Sequence, residues 1–201
     1  MSISAYVSQG AILDRTRLSA AQNVFAPSGT VRCSNRPLFR SQAARDIGCL
    51  LDFDPEVISW SCLPLALRSG KMSHVPDFAV ELKRGTVLVD ALGAPRWVAT
   101  AAQDVGYCYE SERYCGIDTT HRLANAKDLL GYAGVSISLG DRVRLLACLE
   151  EHGPLPLSSC LQVIKNSHDT VGAIAAMVLQ RFVTIDLDDA PIGPDTQVSK
   201  A

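Results

Sequence analysis

The sequence predicts an α+β chain in two parts, and three observations carry that prediction. The middle of the chain alternates helical and strand periodicities in the order helix, three or four antiparallel strands, helix, strand, helix. A Gly/Ser-rich joint, GYAGVSISLG over 131–140, interrupts the pattern. Beyond it, three short helical patterns are followed by one strand and a loop. The 201 residues suit one domain or two small ones. With 47% hydrophobic and 20% charged residues, the composition is that of a chain with a packed core.

Ser41 is placed to cap a helix over 42–52, where Ala43, Ala44, Ile47, Leu50 and Leu51 recur at helical spacing. Asp54–Pro55 ends it, because the residue before proline avoids helical dihedrals. EVISWSC over 56–62 reads as a strand. A hairpin turning at Ser69–Gly70–Lys71 follows, and a second pairs 76–82 with 86–92 about a turn at 83–85. Pro95 suits the first turn of a helix running to about Tyr109. A short strand is expected at Tyr114–Cys115–Gly116–Ile117, and a helix over 122–132. In the C-terminal part, Asp141 is placed to cap RVRLLACLEEHG, a second helix runs to about Ile164, and Asp169 caps TVGAIAAMVLQRF. Val183 to Leu187 is a strand, with a loop from Asp188 to Asp195. That order is a winged helix-turn-helix layout.

Charge is unevenly spread. Up to Ser41 there are five arginines, at 15, 17, 32, 36 and 40, against Asp14 alone. From Asp141 onward five basic residues face eight acidic ones. Residues 1–40 thus read as a basic arm, either contacting nucleic acid or simply solvated. The seven cysteines are odd in number, scattered and without a CxxC pair, as expected of a cytosolic chain with reduced thiols. Cys108, Cys115 and His121 match no zinc spacing. No apolar run is long enough to span a bilayer, and no secretory leader is expected at MSISAYVSQG. Nucleotide-binding and serine-hydrolase motifs are absent.

The ordered set SQAARDIGCLLDFDPEVISW, SHVPDFAVELKRGTVLVDAL and RLANAKDLLGYA resembles the N-terminal domain of the TnsA transposon endonucleases, over roughly 39–133. The resemblance implies a restriction-endonuclease-like fold of the PD-(D/E)XK type over 41–135, a mixed sheet flanked by helices. The winged-helix-like domain would then occupy 141–201. In such nucleases carboxylates from the first helix and the central hairpin hold divalent ions, and a strand lysine stabilises developing charge. Asp77 matches the PD aspartate and Asp90 the (D/E) position. The helix carboxylate is matched by Ala44 and the lysine by Leu92. Alanine cannot ligate a metal and leucine cannot donate a hydrogen bond. The resemblance therefore implies a degenerate, non-catalytic domain, with Asp77 and Asp90 as the weak metal candidates and magnesium needed only if the chemistry survives in relocated groups. Asp77, Glu81 and Lys83 form a compressed imitation of the motif, too short for the hairpin; Asp46 lies about 200° around the helix from Ala44.

The DNA-contact candidates are Arg32, Arg36, Arg40 and His74 in the first part, and Lys165, Asn166, His168 and Arg181 around the third C-terminal helix. That helix has no basic residue over 170–179, so the C-terminal module is expected either to contact protein or to read DNA. The expected function is a regulatory or assembling protein on the DNA of a mobile element. Double-stranded DNA is the expected partner, with a transposase, recombinase or regulator and a second copy of the chain as further ones. Its expected place is the cytoplasm, nucleoid-associated if the source is bacterial. The alternatives are a working metal-dependent nuclease and a purely protein-binding adaptor.

Overall fold

The computed structural model describes residues 8–110 and 120–201. The strand expected at 114–117, and Cys115 with it, lie outside the described residues. Contacts divide the chain into two compact units, Met1–Ala26 with Arg32–Ile117, and Pro27–Val31 with Asp118–Ala201.

The first unit opens with α1 (Gln9–Ala20), capped by Ser8, which accepts from the Ala11 N–H. Arg17 donates to the Leu63 carbonyl from Nε at 3.2 Å and Nη2 at 2.8 Å, and Ala20 is buried in the core. From residue 8 onward, the expected basic arm over 1–40 is part of the first unit: an apolar face with Ile12 and Leu13 packs α1 onto its core. Helix α2 (Gln42–Phe53) is capped by Ser41 and leaves the helical region at Asp54, as Pro55 requires.

Strands β1 (Val57–Cys62), β4 (Phe78–Leu82) and β5 (Gly85–Val89) are antiparallel neighbours. A bulge between Val57 and Ser59 brings Val57 onto the same buried face as Trp60 and Cys62. The side hairpin β2 (Leu67–Ser69) and β3 (Met72–His74) turns at Gly70, whose φ of 59° suits glycine. The β4–β5 turn takes only Lys83 and Arg84, since Leu82 pairs with Gly85. Phe78 therefore pairs with Val89, and the expected register is corrected by one residue.

Helix α3 (Trp97–Asp104) stops well before Tyr109. Gly106, at φ 85°, turns the chain, and β6 (Cys108–Tyr109) pairs parallel with Val87 and Leu88. The sheet order is β1-β4-β5-β6. One face packs Trp60, Phe78, Val80 and Val89 against α1 and α2; the other packs Leu88 against Val98, Ala101 and Ala102 of α3. Along the outer edge of β1, the Ser34 N–H donates to the Trp60 carbonyl and the Trp60 N–H to the Arg32 carbonyl. The Asn35 side chain both donates to and accepts from the Cys62 backbone.

The second unit holds α4 (Thr120–Leu130), α5 (Leu139–His152), β7 (Leu155–Pro156), α6 (Leu157–Val163), α7 (Thr170–Leu179), β8 (Val183–Ile185) and β9 (Gln197–Lys200). Its sheet runs β7-β9-β8, and β9 completes a hairpin that the sequence pattern did not reveal. The expected domain boundary at 135 is also corrected, because α4 belongs with this unit. Asn125 donates to the carbonyls of Leu187 and Ala190 and accepts from the Ile192 N–H. Arg122 makes a two-point contact with Asp188.

Ser138, not Asp141, caps α5. Asp141 sits three residues into the cap and is fully buried, accepting from the N–H groups of Lys165 and Asn166, from Ser167 Oγ and from Arg144. Burial raises its carboxyl pKa, but these donors outweigh burial and hold it well below the usual range. Among the described residues no helix is long and apolar enough to cross a membrane.

Two outcomes follow from this packing. Trp60 is fully buried, stands edge-on to Phe78 at 5.6 Å and donates from Nε1 to Asp52 at 2.8 Å. Urea unfolding should show Trp60→Phe costing about 1–3 kcal/mol through the lost donor, and Trp60→Ala about 3–5 kcal/mol through the cavity. Asp141, with its lowered carboxyl, contributes stability that is complete above about pH 4 and is lost as pH falls toward its folded value. Asp141→Asn should therefore lower the unfolding midpoint at pH 7, and the gap to wild type should narrow in measurements at pH 3.

Candidate functional site

The corrected register places Asp77, just before β4, opposite Asp90, just after β5. Both carboxylates are nearly buried, at 7% and 4% exposure. The Asp77 N–H donates to Asp90 Oδ1 at 3.1 Å, and the Ala91 N–H donates to Asp77 Oδ2 at 3.0 Å. Backbone alone therefore fixes the two acids relative to each other.

Arg40, at the entrance to α2, lays its guanidinium between them. Its Nε donates to Asp77 Oδ1 at 2.8 Å, and Nη2 lies 2.7 Å from Asp77 Oδ1 and 3.1 Å from Asp90 Oδ1. His74, from β3, is 2.8 Å from Asp90 Oδ2 through Nε2, which donates if the carboxylate is ionised. Tyr109, from β6, donates its hydroxyl to the same oxygen at 2.8 Å. Trp97 stands edge-on to the His74 ring at 6.5 Å.

The four acceptor positions of an ionised carboxylate are thus all used at Asp90: Asp77 N–H and Arg40 on Oδ1, His74 and Tyr109 on Oδ2. Burial pushes the Asp77 carboxyl above its ordinary pKa, with Arg40 opposing. At Asp90 burial acts the same way, but His74, Tyr109 and Arg40 outweigh it and the pKa is lowered. The Tyr109 hydroxyl is pushed up, by burial first and then by the Asp90 charge.

The other motif positions do not join this cluster. Ala44 is 1% exposed and packs in the core with Phe39, Leu51 and Val57. Leu92 is 81% exposed and lies three residues past the end of β5, where strand alternation no longer aims a side chain. Glu81 accepts from Ser59 Oγ at 2.6 Å, Lys83 is exposed in the turn, and Asp46 accepts from Gln42. The residues present do not fit a divalent ion between Asp77 and Asp90: a fixed cation takes that position, and the acceptor positions of Asp90 are all used. Among the described residues no group of three His, Cys, Asp or Glu side chains could hold a metal.

The DNA-contact candidates fall in several different places. Arg40 and His74 are committed to the two aspartates. Arg32 donates from Nε to the Asp52 carbonyl, and its N–H to the Asp52 side chain. Arg36 is exposed. In the second unit Lys165 and Asn166 use their N–H groups on Asp141, while His168 is exposed. Arg181 follows the far end of α7, about 15 Å along the helix from that group, so the four do not form one patch. Helix α7 itself is buried from Gly172 through Leu179; the expected second helix opening at Pro154 begins instead at Leu157, after the short strand β7, and ends at Val163. Tyr109 was missed because its strand pairs in parallel with a partner twenty-one residues away, which no local pattern signals.

No family model matches the chain, and no curated protein matches it.

The ion triad predicts a specific dependence. Removing the Arg40 guanidinium leaves two adjacent buried acids without their cation. Arg40→Gln should cost about 2–3 kcal/mol, between an exposed and a fully buried pair. Adding Asp77→Asn to that variant should recover part of the loss in a double-mutant cycle read by urea unfolding.

Proposed function

We propose that the protein is a non-catalytic, nuclease-like protein that associates with DNA, with a TnsA-like PD-(D/E)XK pseudonuclease unit followed by a winged-helix module. The observation that carries this reading is the Arg40 guanidinium bound between Asp77 and Asp90. A positively charged side chain stands where the family's reaction requires a metal ion, so the two acids serve as structure. The order of elements supports the fold: α2, three antiparallel strands with both acids at the hairpin mouth, then α3 crossing to a parallel β6. In the second unit, three helices followed by the β8–β9 hairpin support the winged-helix reading.

On this reading the protein works in the cytoplasm on double-stranded DNA, regulating or assembling a mobile-element complex. The adaptor alternative finds its support in α7. A helix whose residues from Gly172 to Leu179 are all buried has no face to lay in a major groove. The second unit then contacts a transposase or recombinase, and DNA contact falls to the first.

Gel retention of a duplex over a salt series, with magnesium or manganese present, tests the reading. Retention should weaken steadily with salt, and the duplex should stay intact. Arg40→Gln should not confer cleavage, because Ala44 and Leu92 still supply neither a ligand nor an oxyanion donor. Cleavage by the wild-type protein that Asp77→Ala abolishes would overturn the non-catalytic assignment.

A further inference from the structure

We propose that the groove between α1 and Arg40 is a phosphate-binding site in which Arg15 is the principal cation. The groove encloses about 350 Å³ and is lined by Arg15, Thr16, Ser19, Ala20, Asn23 and Arg40. Five of these six side chains are polar, and two are guanidinium groups.

Of the five N-terminal arginines, three are occupied. Arg17 holds the Leu63 carbonyl, Arg32 holds Asp52, and Arg40 holds the two acids. Arg15 is exposed and makes no hydrogen bond or ion pair with any described residue. Its position one helical turn before Ser19 puts both on one face of α1, and Asn23 follows where the chain leaves the helix. Thr16 spends its hydroxyl proton on the Ile12 carbonyl, so its oxygen only accepts. Ser19 and Asn23 keep their donors for a ligand.

Arg40 contributes differently. Its Nε and Nη2 face the aspartates, which leaves Nη1 for the groove. Its charge is offset by the two aspartates, so Arg15 supplies the positive charge of the groove. A fork of Arg15 donors, a hydroxyl, an amide and one further guanidinium nitrogen suits a tetrahedral oxyanion. The source is either a phosphodiester of a nucleic-acid backbone or free phosphate. The inference deepens the DNA-associated reading by placing one backbone contact, and it rests on that reading only for the source.

Two measurements on the full chain separate the outcomes. The first follows the Arg15 Nε–H resonance during titration with potassium phosphate, against potassium chloride at matched ionic strength, and then with a short duplex. The second measures duplex affinity by fluorescence anisotropy over a salt series for wild type, Arg15→Gln, Arg15→Lys and the surface control Lys71→Gln.

Losing one phosphate contact removes about 0.9 from the salt slope, or about eightfold in affinity near 0.1 M salt. Arg15→Gln should show that loss, Arg15→Lys should restore part of it, and Lys71→Gln should match wild type. Movement of the resonance with duplex, and loss in Arg15→Gln, establishes the groove as a backbone contact. Movement with inorganic phosphate in a protein that binds no duplex keeps the site but overturns the DNA reading. Duplex binding with the resonance and the Arg15→Gln affinity both unchanged overturns the site and keeps the DNA reading. A resonance that responds to neither phosphate nor duplex overturns the site as well.

Discussion

The first unit depends on a guanidinium held between two carboxylates that water scarcely reaches. Two acids facing each other across a hairpin mouth repel strongly in a medium of low polarizability. Arg40 removes that repulsion, and it draws the entrance of α2 onto the sheet in doing so. His74 ties β3 to Asp90, and Tyr109 ties β6 to it. Three elements, α2, β3 and β6, thus share one pair of acids. Protonation at Asp77 is eased by burial while Asp90 is held ionised, so the pair is electrically asymmetric as well as geometrically fixed.

Most of the first unit was legible because its signals are local. Ser41 and Asp54–Pro55 bound α2 within a residue, and the short apolar, β-branched runs FAVEL and GTVLV on either side of Lys83–Arg84 give β4 and β5. The pairing of Asp77 with Asp90 was legible to within one residue, the error lying in a turn read as three residues where the chain uses two. What escaped was non-local. A count of arginines cannot say that Arg40 meets an acid 37 residues away, or that Arg17 caps a carbonyl 46 residues on. The parallel strand at Cys108–Tyr109 and the four-residue β9 are too short to carry a period of their own.

The second unit shows the same division. The three helical patterns beyond the joint were clear, and Asp169 caps α7 as its position implied. Yet Asp141 looked like an exposed cap and is instead a buried acceptor that joins α5 to the turn before α7. Helix α7 was apolar all round in sequence, which is the mark of a helix enclosed on every side. Asn125, reaching to both Leu187 and Ala190 and taking the Ile192 N–H, makes α4 part of that enclosure by anchoring the loop after β8.

The segment from Arg32 to Asn35 runs beside β1 and takes up backbone groups at Trp60 and Cys62. Strand β1 is the outermost strand on its side of the sheet, and a bare outermost strand invites another chain to add itself there. Here the protein's own leading segment fills that place. A second copy of the chain therefore finds the backbone groups of Trp60 and Cys62 already taken on that side of the sheet, and a truncation that removed this segment would leave a sticky border there.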